Sequence, residues 1–399
     1  MSPTFWAKNM GNKAYKSRVC QALASFKEEA TLEYGRIVDR PYRSNLAVED
    51  YTKGTAATAQ DLTATSDQLT INKQKVILMY VDDVDKMQNK WDAARIWGEE
   101  AGIRIAVSQD AEFLYEVYNA ADTIDDGDIG GTAGNALTLT VSNISKVIGA
   151  INKKLDINNV DLERKKRFWA LSPQAYEVLW QYIAGKETLL GDKTGEFGNI
   201  GRYGGLELFM TNNLTASAVW TPVDNPTTGA TITIDGVVFT FEDTLSTTEG
   251  SIHITSTTAK TLDSLVAAIN TPGTSVVEAT DTGFTAFTGS DLRTVQEMVA
   301  VDGTTYITVY HKGQSFMTVA TSEALDLWSA RIQHNLAGVK GAIDMVVQKQ
   351  PDLGPGSMAS TVSAGKRGMN IMPLSVFGIK TFNQGTSEIF DVQLVSTNF

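Results

Sequence analysis

The chain has 399 residues, of which 42% are hydrophobic and 20% charged, and a formal net charge of −12. This is the composition of a folded chain of two or three domains, not a disordered one, and its longest apolar runs fall well short of the roughly 18–20 residues of a membrane span. Cys20 is the only cysteine, which excludes an intramolecular disulfide and a multi-cysteine zinc site and fits a reducing compartment, while the acidic balance excludes nucleic-acid binding over the whole surface but leaves a local basic patch or passive enclosure open.

Residues 1–50 read as an N-terminal region. No apolar secretory stretch accompanies Lys8, Lys13 and Lys16. Val19, Leu23, Phe26, Ala30 and Ile37 recur near one helical face, which predicts a helix from about Tyr15 to Ile37. Pro41 and Asn45 mark an exit into extended chain. Packing of this helix on its own domain and an arm reaching to a neighbour fit equally well.

Thr52 to Lys75 form a polar arm whose only large apolar residues are Leu62, Leu69 and Ile71. Period-two alternation places Leu69, Ile71, Lys73 and Lys75 on one face, and Thr70, Asn72 and Gln74 on the other. The run Val76 to Val81 is continuously apolar, which predicts a strand buried on both sides. The arm is then half of a hairpin that leaves a core and enters solvent. Isolated two-stranded hairpins are marginal in water, so a neighbouring subunit is expected to hold it; an ordinary surface hairpin is the competing reading. The expected inter-subunit contacts are Tyr51, Lys53, Asp61, Leu62, Leu69, Ile71, Lys73 and Lys75.

Asp82, Asp83 and Asp85 suit the start of a helix, where side-chain acceptors and the dipole favour carboxylates. Met87, Trp91, Ala94, Trp97, Ala101 and Ile105 form one face of that helix. It runs to near Tyr118, roughly 50 Å if unbroken. Gly98 and Gly102 each cost about 1 kcal/mol relative to Ala and mark the expected bend. Asp122, Asp125, Asp126 and Asp128 follow among glycines. They resemble a calcium loop superficially, but the spacing and the missing glutamate at position twelve depart from an EF-hand, and a solvated linker is the favoured reading.

Residues 136–215 read as an α/β unit. Ile144, Val147, Ile148 and Ile151 stripe a helix from Ser142 to Lys154, and Arg167 to Leu171 is a strand. Ser172 and Pro173 open the next helix, as cap and first helical residue, with Tyr176, Leu179, Trp180 and Ile183 as its buried stripe. Gly198, Gly201, Gly204 and Gly205 precede the strand Leu206 to Met210. A phosphate-cradling loop follows a strand and opens a helix, so the order is wrong. Glu163-Arg164-Lys165-Lys166-Arg167 is the one dense basic cluster, and reads as a solvated face more readily than as a DNA contact.

Between Trp220 and Trp328 Thr, Gly and Asp dominate. Asp235-Gly236, flanked by Ile232, Ile234, Val237, Phe239 and Phe241, predicts a two-residue hairpin. Ile252 and Ile254 suggest a third strand, and Leu262, Leu265, Val266 and Ile269 a short helix. Tyr306 to Tyr310 and Ser315 to Val319 read as a hairpin joined through Lys312-Gly313. The segment is expected to be a self-contained β-rich insertion. Beyond it come a strand at 341–348, a Pro/Gly/Ser-rich loop at 351–368, and strands Val376 to Thr381 and Ile389 to Val395, expected beside the 206–210 strand.

Catalytic constellations are not evident. His253, His311 and His334 are scattered without a metal-binding spacing, and neither a nucleophile elbow nor a Walker loop is present. Ser363 and Lys366 match a loose Ser–Lys pattern without supporting motifs. No enzyme activity, metal or cofactor is expected.

The segments Asp50-Tyr51-Thr52-Lys53-Gly54, Thr65-Ser66-Asp67-Gln68-Leu69-Thr70-Ile71 and Tyr80-Val81-Asp82-Asp83-Val84-Asp85-Lys86-Met87-Gln88 resemble major capsid proteins of tailed bacteriophages, which have the Hong Kong ninety-seven type shell fold. Phe168 to Pro173 is similar to the strand leading into the peripheral-domain helix, and Gly341 to Asp344 and Phe377 to Phe382 to axial-domain strands. The resemblance implies an α+β fold in the order N-terminal arm (1–50), E-loop (51–84), spine helix and linker (85–135), peripheral domain and start of the axial domain (136–221), inserted β-rich domain (222–328), and axial domain with a return to the peripheral domain (329–399). It implies a virion protein that self-assembles through hexamers and pentamers, in the host cytoplasm, into an icosahedral shell enclosing double-stranded DNA without sequence-specific binding and without a membrane. The short region before the E-loop leaves no room for a built-in scaffolding segment, so a separate scaffolding protein is implied, with a portal and a decoration protein as further partners. Some relatives crosslink an E-loop lysine to a neighbour; Lys53, Lys73 and Lys75 lie in that region, and no partner residue is assignable. Two other readings stay open: an encapsulin-like compartment holding protein cargo, which shares the fold, and a surface adhesion module, suggested by the Thr-rich insertion.

Overall fold

The computed structural model describes residues 18–28, 35–43, 48–50, 52–54, 60, 64–84, 93–160, 166–186, 200–279, 282–323, 327–349, 358–361, 368–382 and 385–396. Among the described residues near the N-terminus, α1 (Cys20–Leu23) is a short α-helix that ends at Ala24. Ser25 already bridges Asp344, and β1 (Ile37–Arg43) is a strand, so the long helix expected from Tyr15 to Ile37 is not formed. Tertiary contacts override the helical spacing: Val19, Cys20 and Leu23 are buried together with Phe113 and Leu114. Asp110 accepts hydrogen bonds from the free backbone N–H groups of Val19 and Cys20, both at 2.7 Å, and from Asn213 Nδ2 at 3.0 Å. Burial and the Asp110 charge push the Cys20 thiol up to about 12, which makes it inert as a nucleophile.

β1 pairs antiparallel with β2 (Ala64–Thr70), from Ile37 opposite Thr70 to Arg43 opposite Ala64. The hairpin therefore draws its second strand from the N-terminal region, across the 44–63 connection. β3 (Lys73–Val76) and β4 (Met79–Asp82) follow. Along 76–80 the side chains alternate: Val76, Leu78 and Tyr80 are 52%, 66% and 40% exposed. This corrects the expectation of burial on both sides. Each strand lies at the edge of its own three-stranded sheet and is covered on one face only.

The long helix α2 (Ala93–Tyr115) runs through Gly98 and Gly102 without interruption and ends in a 3-10 turn at Glu116–Asn119. After β5 (Asp122–Ile124), α3 (Ile144–Ile157), β6 (Arg167–Leu171) and α4 (Pro173–Ala184) form as their spacing predicts, with Ser172 Oγ accepting from the Ala175 N–H at 3.1 Å. β7 (Arg202–Tyr203), β8 (Leu206–Met210) and β9 (Thr215–Thr221) lead to the insertion.

The insertion holds β10 (Thr231–Ile234), β11 (Val237–Glu242), β12 (Ser251–His253), α5 (Thr258–Asn270), β13 (Val276–Ala279), β14 (Thr282–Phe284) and α6 (Gly289–Gln296). Then come β15 (Met298–Asp302), β16 (Ile307–His311), β17 (Val319–Thr321) and β18 (Leu327–Trp328). Asp235 and Gly236 both have positive φ, 46° and 84°, as a two-residue turn with right-handed twist needs. Five of the strands build a six-stranded sheet with β17, in the order β13-β14-β12-β11-β10-β17.

β19 (Ile332–Val339), β20 (Ile343–Lys349), β21 (Met358–Thr361), β22 (Gly368–Ile371), β23 (Leu374–Thr381) and β24 (Ile389–Val395) complete the chain. The central ten-stranded sheet runs β15-β16-β9-β19-β6-β8-β7, with β18 on β9, β24 on β19 and β5 on β24. Period-two alternation assigns its two faces. Trp169, Leu171, Ala337, Val339, Phe390 and Val392 meet α3 and α4, while Phe168, Ala170, Leu336 and Ile389 meet the end of α2.

Three expectations are corrected here. β16 pairs with β15 and β9, and β17 with β10, so no hairpin joins residues 306–319. β15 and β16 thereby belong to the central sheet, and the insertion is not closed off at 222–328: one apolar core runs from Ala216, Ala218 and Trp220 through Phe239, Phe241 and Leu265. Nor does β8 pair with the late strands; it pairs with β6 and β7, whereas β23 pairs with β20 and β3, and β24 with β19 and β5. Fully buried strands carry no pattern that says which neighbour they take. Replacing Asp110 by Ala removes three hydrogen bonds to one buried acceptor; we expect a loss of about 2–3 kcal/mol in a urea titration and faster proteolysis near Leu23.

Candidate functional site

The ribbon of β1 and β2 is tied to the body through one face. Val38 and Leu69, directly opposite each other, are buried with Ile71, Val346 and Phe382. On the same face Arg40 reaches Asp344 at 2.9 Å and lies over the Phe382 ring, and Asp67 pairs with Lys380. The contact is close: a Cβ on Gly378 of β23 would lie 2.8 Å from both Leu69 Cδ2 and the Thr70 carbonyl. Gln109 of α2 donates to Ser375 Oγ at 2.7 Å.

Beside this base lies the most concentrated charge cluster of α2. Glu112, its side chain 4% exposed, accepts from Lys73 at 2.5 Å, Lys312 at 2.9 Å and Lys75 at 3.2 Å. Burial alone would push its carboxyl up; Lys312, Lys73 and Lys75 outweigh burial and hold it at about 2. One turn on, burial does raise the Glu116 carboxyl, which accepts from Asn119 Nδ2 and from the Thr381 N–H and hydroxyl. α2 is thus joined to β3, to β23 and to the residue after β16.

These contacts place the expected inter-subunit residues. Leu69, Ile71, Lys73 and Lys75 share a face, as the alternation predicts, but that face is satisfied inside the chain: two are core residues and two are partners of Glu112. Within the chain they anchor the base of the ribbon. Lys53 is exposed in a turn. Tyr51, Asp61, Leu62, Met87 and Trp91 lie outside the described residues, and Ala94 and Trp97 fall within α2, where only the backbone is described at those positions. What the chain leaves open is the opposite face: Val76, Leu78 and Tyr80, with Val84 and Met372 exposed nearby. Exposed apolar side chains gathered along a short stretch of chain suit an interaction surface.

The other sequence candidates are spent on structure. Asp125 caps the turn Asp126–Ile129 and accepts from Gly127 and Gly134, Asp126 accepts from Thr132, and Asp122 and Asp128 each meet Lys154 at 2.9 Å. The expected solvated linker is therefore a closed loop, and among the described residues no cluster is placed to hold a metal ion. Arg167, read as part of a solvated basic face, is buried and donates to Asp156 at 2.5 Å, to the Val160 carbonyl and to Asn152. Residues 163–165, Ser363 and Lys366 lie outside the described residues.

Sequence spacing missed one constellation. His334 on β19 makes a hydrogen bond through Nδ1 to Asp391 on β24, at 2.7 Å, and through Nε2 to Ser217 on β9, at 2.8 Å. The connectivity is that of a Ser-His-Asp triad. Ser217 is only 2% exposed, and the Tyr310 ring lies 5.7 Å from His334, so a substrate carbonyl has no approach to the hydroxyl. The network ties three strands together. A second pair, His311 with Asp235, ties β16 to the β10–β11 turn.

No family model and no curated protein matches the sequence. Solved structures do. A chain from Mycobacterium phage Che8 is 14% identical and superposes with a TM-score of 0.56, over 98% of this chain and 96% of that one. The capsid structure of the cyanophage P-SCSP1u gives 14% identity and a TM-score of 0.52, over 100% and 93%. The capsid of Ralstonia phage GP4 gives 9% and 0.52, over 100% and 96%. The chain has the α+β fold of these phage capsid structures along its whole length.

Two outcomes check this site. Glu112 is held below its ordinary 4.5, so its contribution is complete above about pH 5 and is lost as pH falls towards 2. Glu112→Gln should therefore be less stable than wild type by on the order of 3 kcal/mol at pH 7, with the gap closing between about pH 4.5 and 2, read by urea denaturation. For the His334 network, Ser217→Ala should stay within about 1 kcal/mol of wild type, while His334→Ala strands Asp391 and should cost about 3 kcal/mol. A fluorophosphonate probe is expected to leave the wild-type protein unlabelled.

Proposed function

We propose that this chain is the repeating subunit of an icosahedral phage shell that encloses double-stranded DNA. The observation that carries the reading is the likeness of fold to phage capsid structures, which extends over 98–100% of the chain, insertion included. The work is mechanical: heterologous contacts repeated around five-fold and six-fold rings close a container. The anchored ribbon is the E-loop. Its base is fixed by Leu69, Ile71 and the Glu112 cluster, so its direction is set before assembly, and exposed Lys53 lies near the contact with the adjacent subunit. The stripe of Val76, Leu78, Tyr80 and Met372 supplies apolar area for the same boundary. The net charge of −12 fits a wall that does not grip its contents over the whole surface. Assembly takes place in the host cytoplasm with a separate scaffolding protein, a portal and a decoration protein as partners.

Replacing residues 47–60 with a short Gly/Ser turn leaves the β1–β2 pairing and its base intact. We expect that variant to keep its thermal midpoint and to show no closed particles by negative-stain electron microscopy, whereas the wild type closes. Normal shells from the variant would remove the ribbon from the mechanism. A wild-type protein that stays monomeric in sedimentation at every concentration would overturn the function, and closed particles filled with protein instead of DNA would convert it to a cargo compartment.

A further inference from the structure

A groove of about 650 Å³ opens between the segment after α1, the ribbon base and the β19–β20 turn. Its charged lining is Lys27, Arg40, Lys166 and Lys340 against Asp344 and Glu388. In a chain of net charge −12 this reversal of sign is local and concentrated. The backbone holds two of the cations side by side, since the Lys340 N–H donates to the Lys166 carbonyl at 2.9 Å. Arg40 and Lys340 each have a carboxylate, Asp344 at 2.9 Å and Glu207 at 2.5 Å. Lys27 and Lys166 are exposed, and among the described residues no carboxylate lies at ion-pair distance from either, while Glu207, paired with Lys340, also feels the Lys166 charge.

We infer that this groove is a sequence-independent contact for the phosphodiester backbone of duplex DNA, with Lys27 and Lys166 as the two neutralising cations. The inference rests on the proposed DNA-enclosing shell, and assigns to it a place where an acidic wall touches its contents. Exposed lysines on flexible stems suit phosphates, which need a point charge and no fixed orientation. A protein partner would need an apolar anchor in the groove; Phe382 is buried there and covered by Arg40, and Phe26 is half-buried, so the groove presents exposed cations more than an apolar anchor.

The test uses the unassembled full-length chain and a fluorescein-labelled mixed-sequence duplex of about 20 base pairs, followed by anisotropy from about 30 to 150 mM salt. Two unpaired cations predict a slope of log K against log salt of about −2. Lys27→Gln should lower its magnitude by about one and Lys27→Gln/Lys166→Gln should bring it close to zero, while Lys146→Gln, exposed on α3 and away from the groove, leaves it unchanged. A slope that the double variant does not change overturns the inference, as does competition by polyglutamate at equal charge concentration as effective as by unlabelled duplex, which would assign the groove to an acidic protein segment. Electron microscopy of the double variant keeps the two readings apart. Closed shells with an unaltered slope defeat the groove and leave the shell standing, and a wild type that binds duplex with the expected slope but never closes defeats the shell alone.

Discussion

A single buried carboxylate sets the geometry of this chain. Glu112 sits near the end of α2 and gathers Lys73, Lys75 and Lys312, which come from segments far apart in sequence. A carboxylate in that position has lost its water, and only cations at close range make its charge tolerable. The three lysines therefore have little freedom, and neither do the strand that carries two of them or the turn that carries the third. The ribbon, the long helix and the central sheet take their mutual positions from that requirement. Apolar burial at Val38, Leu69, Ile71 and Phe382 then seals the ribbon base.

Much of the local structure was legible in the residues. The stripes of α3 and α4, the Ser172-Pro173 start and the Asp235-Gly236 turn are decided by neighbours within a few positions, and they formed as read. The alternation from Leu69 to Lys75 also held, while the partner that its two lysines find inside the chain was not legible. A face carrying two apolar residues and two lysines looks unfinished until the partner carboxylate, some forty positions away, is in view. The same limit hid β1. Pro41 onward was legible as extended chain, but the strand that starts at Ile37 is set by its pairing with β2 and not by its own spacing. The partners of β8, β16, β23 and β24 were misread for a related reason: long-range pairing between buried strands leaves no periodic trace. The Ser217–His334–Asp391 network belongs to three strands and has no motif spacing at all. The order of the modules was legible only through the resemblance.

The surface divides by charge and by polarity in a way that follows from this frame. The face of the ribbon turned to the body is used up. The outer face of β3 and β4 is apolar and open, and the groove beside β1 is cationic while the chain as a whole is acidic. The chain thus carries two exposed surfaces of unlike chemistry, one apolar and one cationic.

The inserted unit adds one constraint of its own. Trp220 of the central sheet stacks on Phe241 of the insertion, with ring centroids 5.6 Å apart, and Trp328 lies against it from the returning strand. No seam separates guest from host. Excising such a unit would expose the aromatic wall on both sides of the cut. Guest and host share one hydrophobic body, so a substitution on either side of that contact is felt by both.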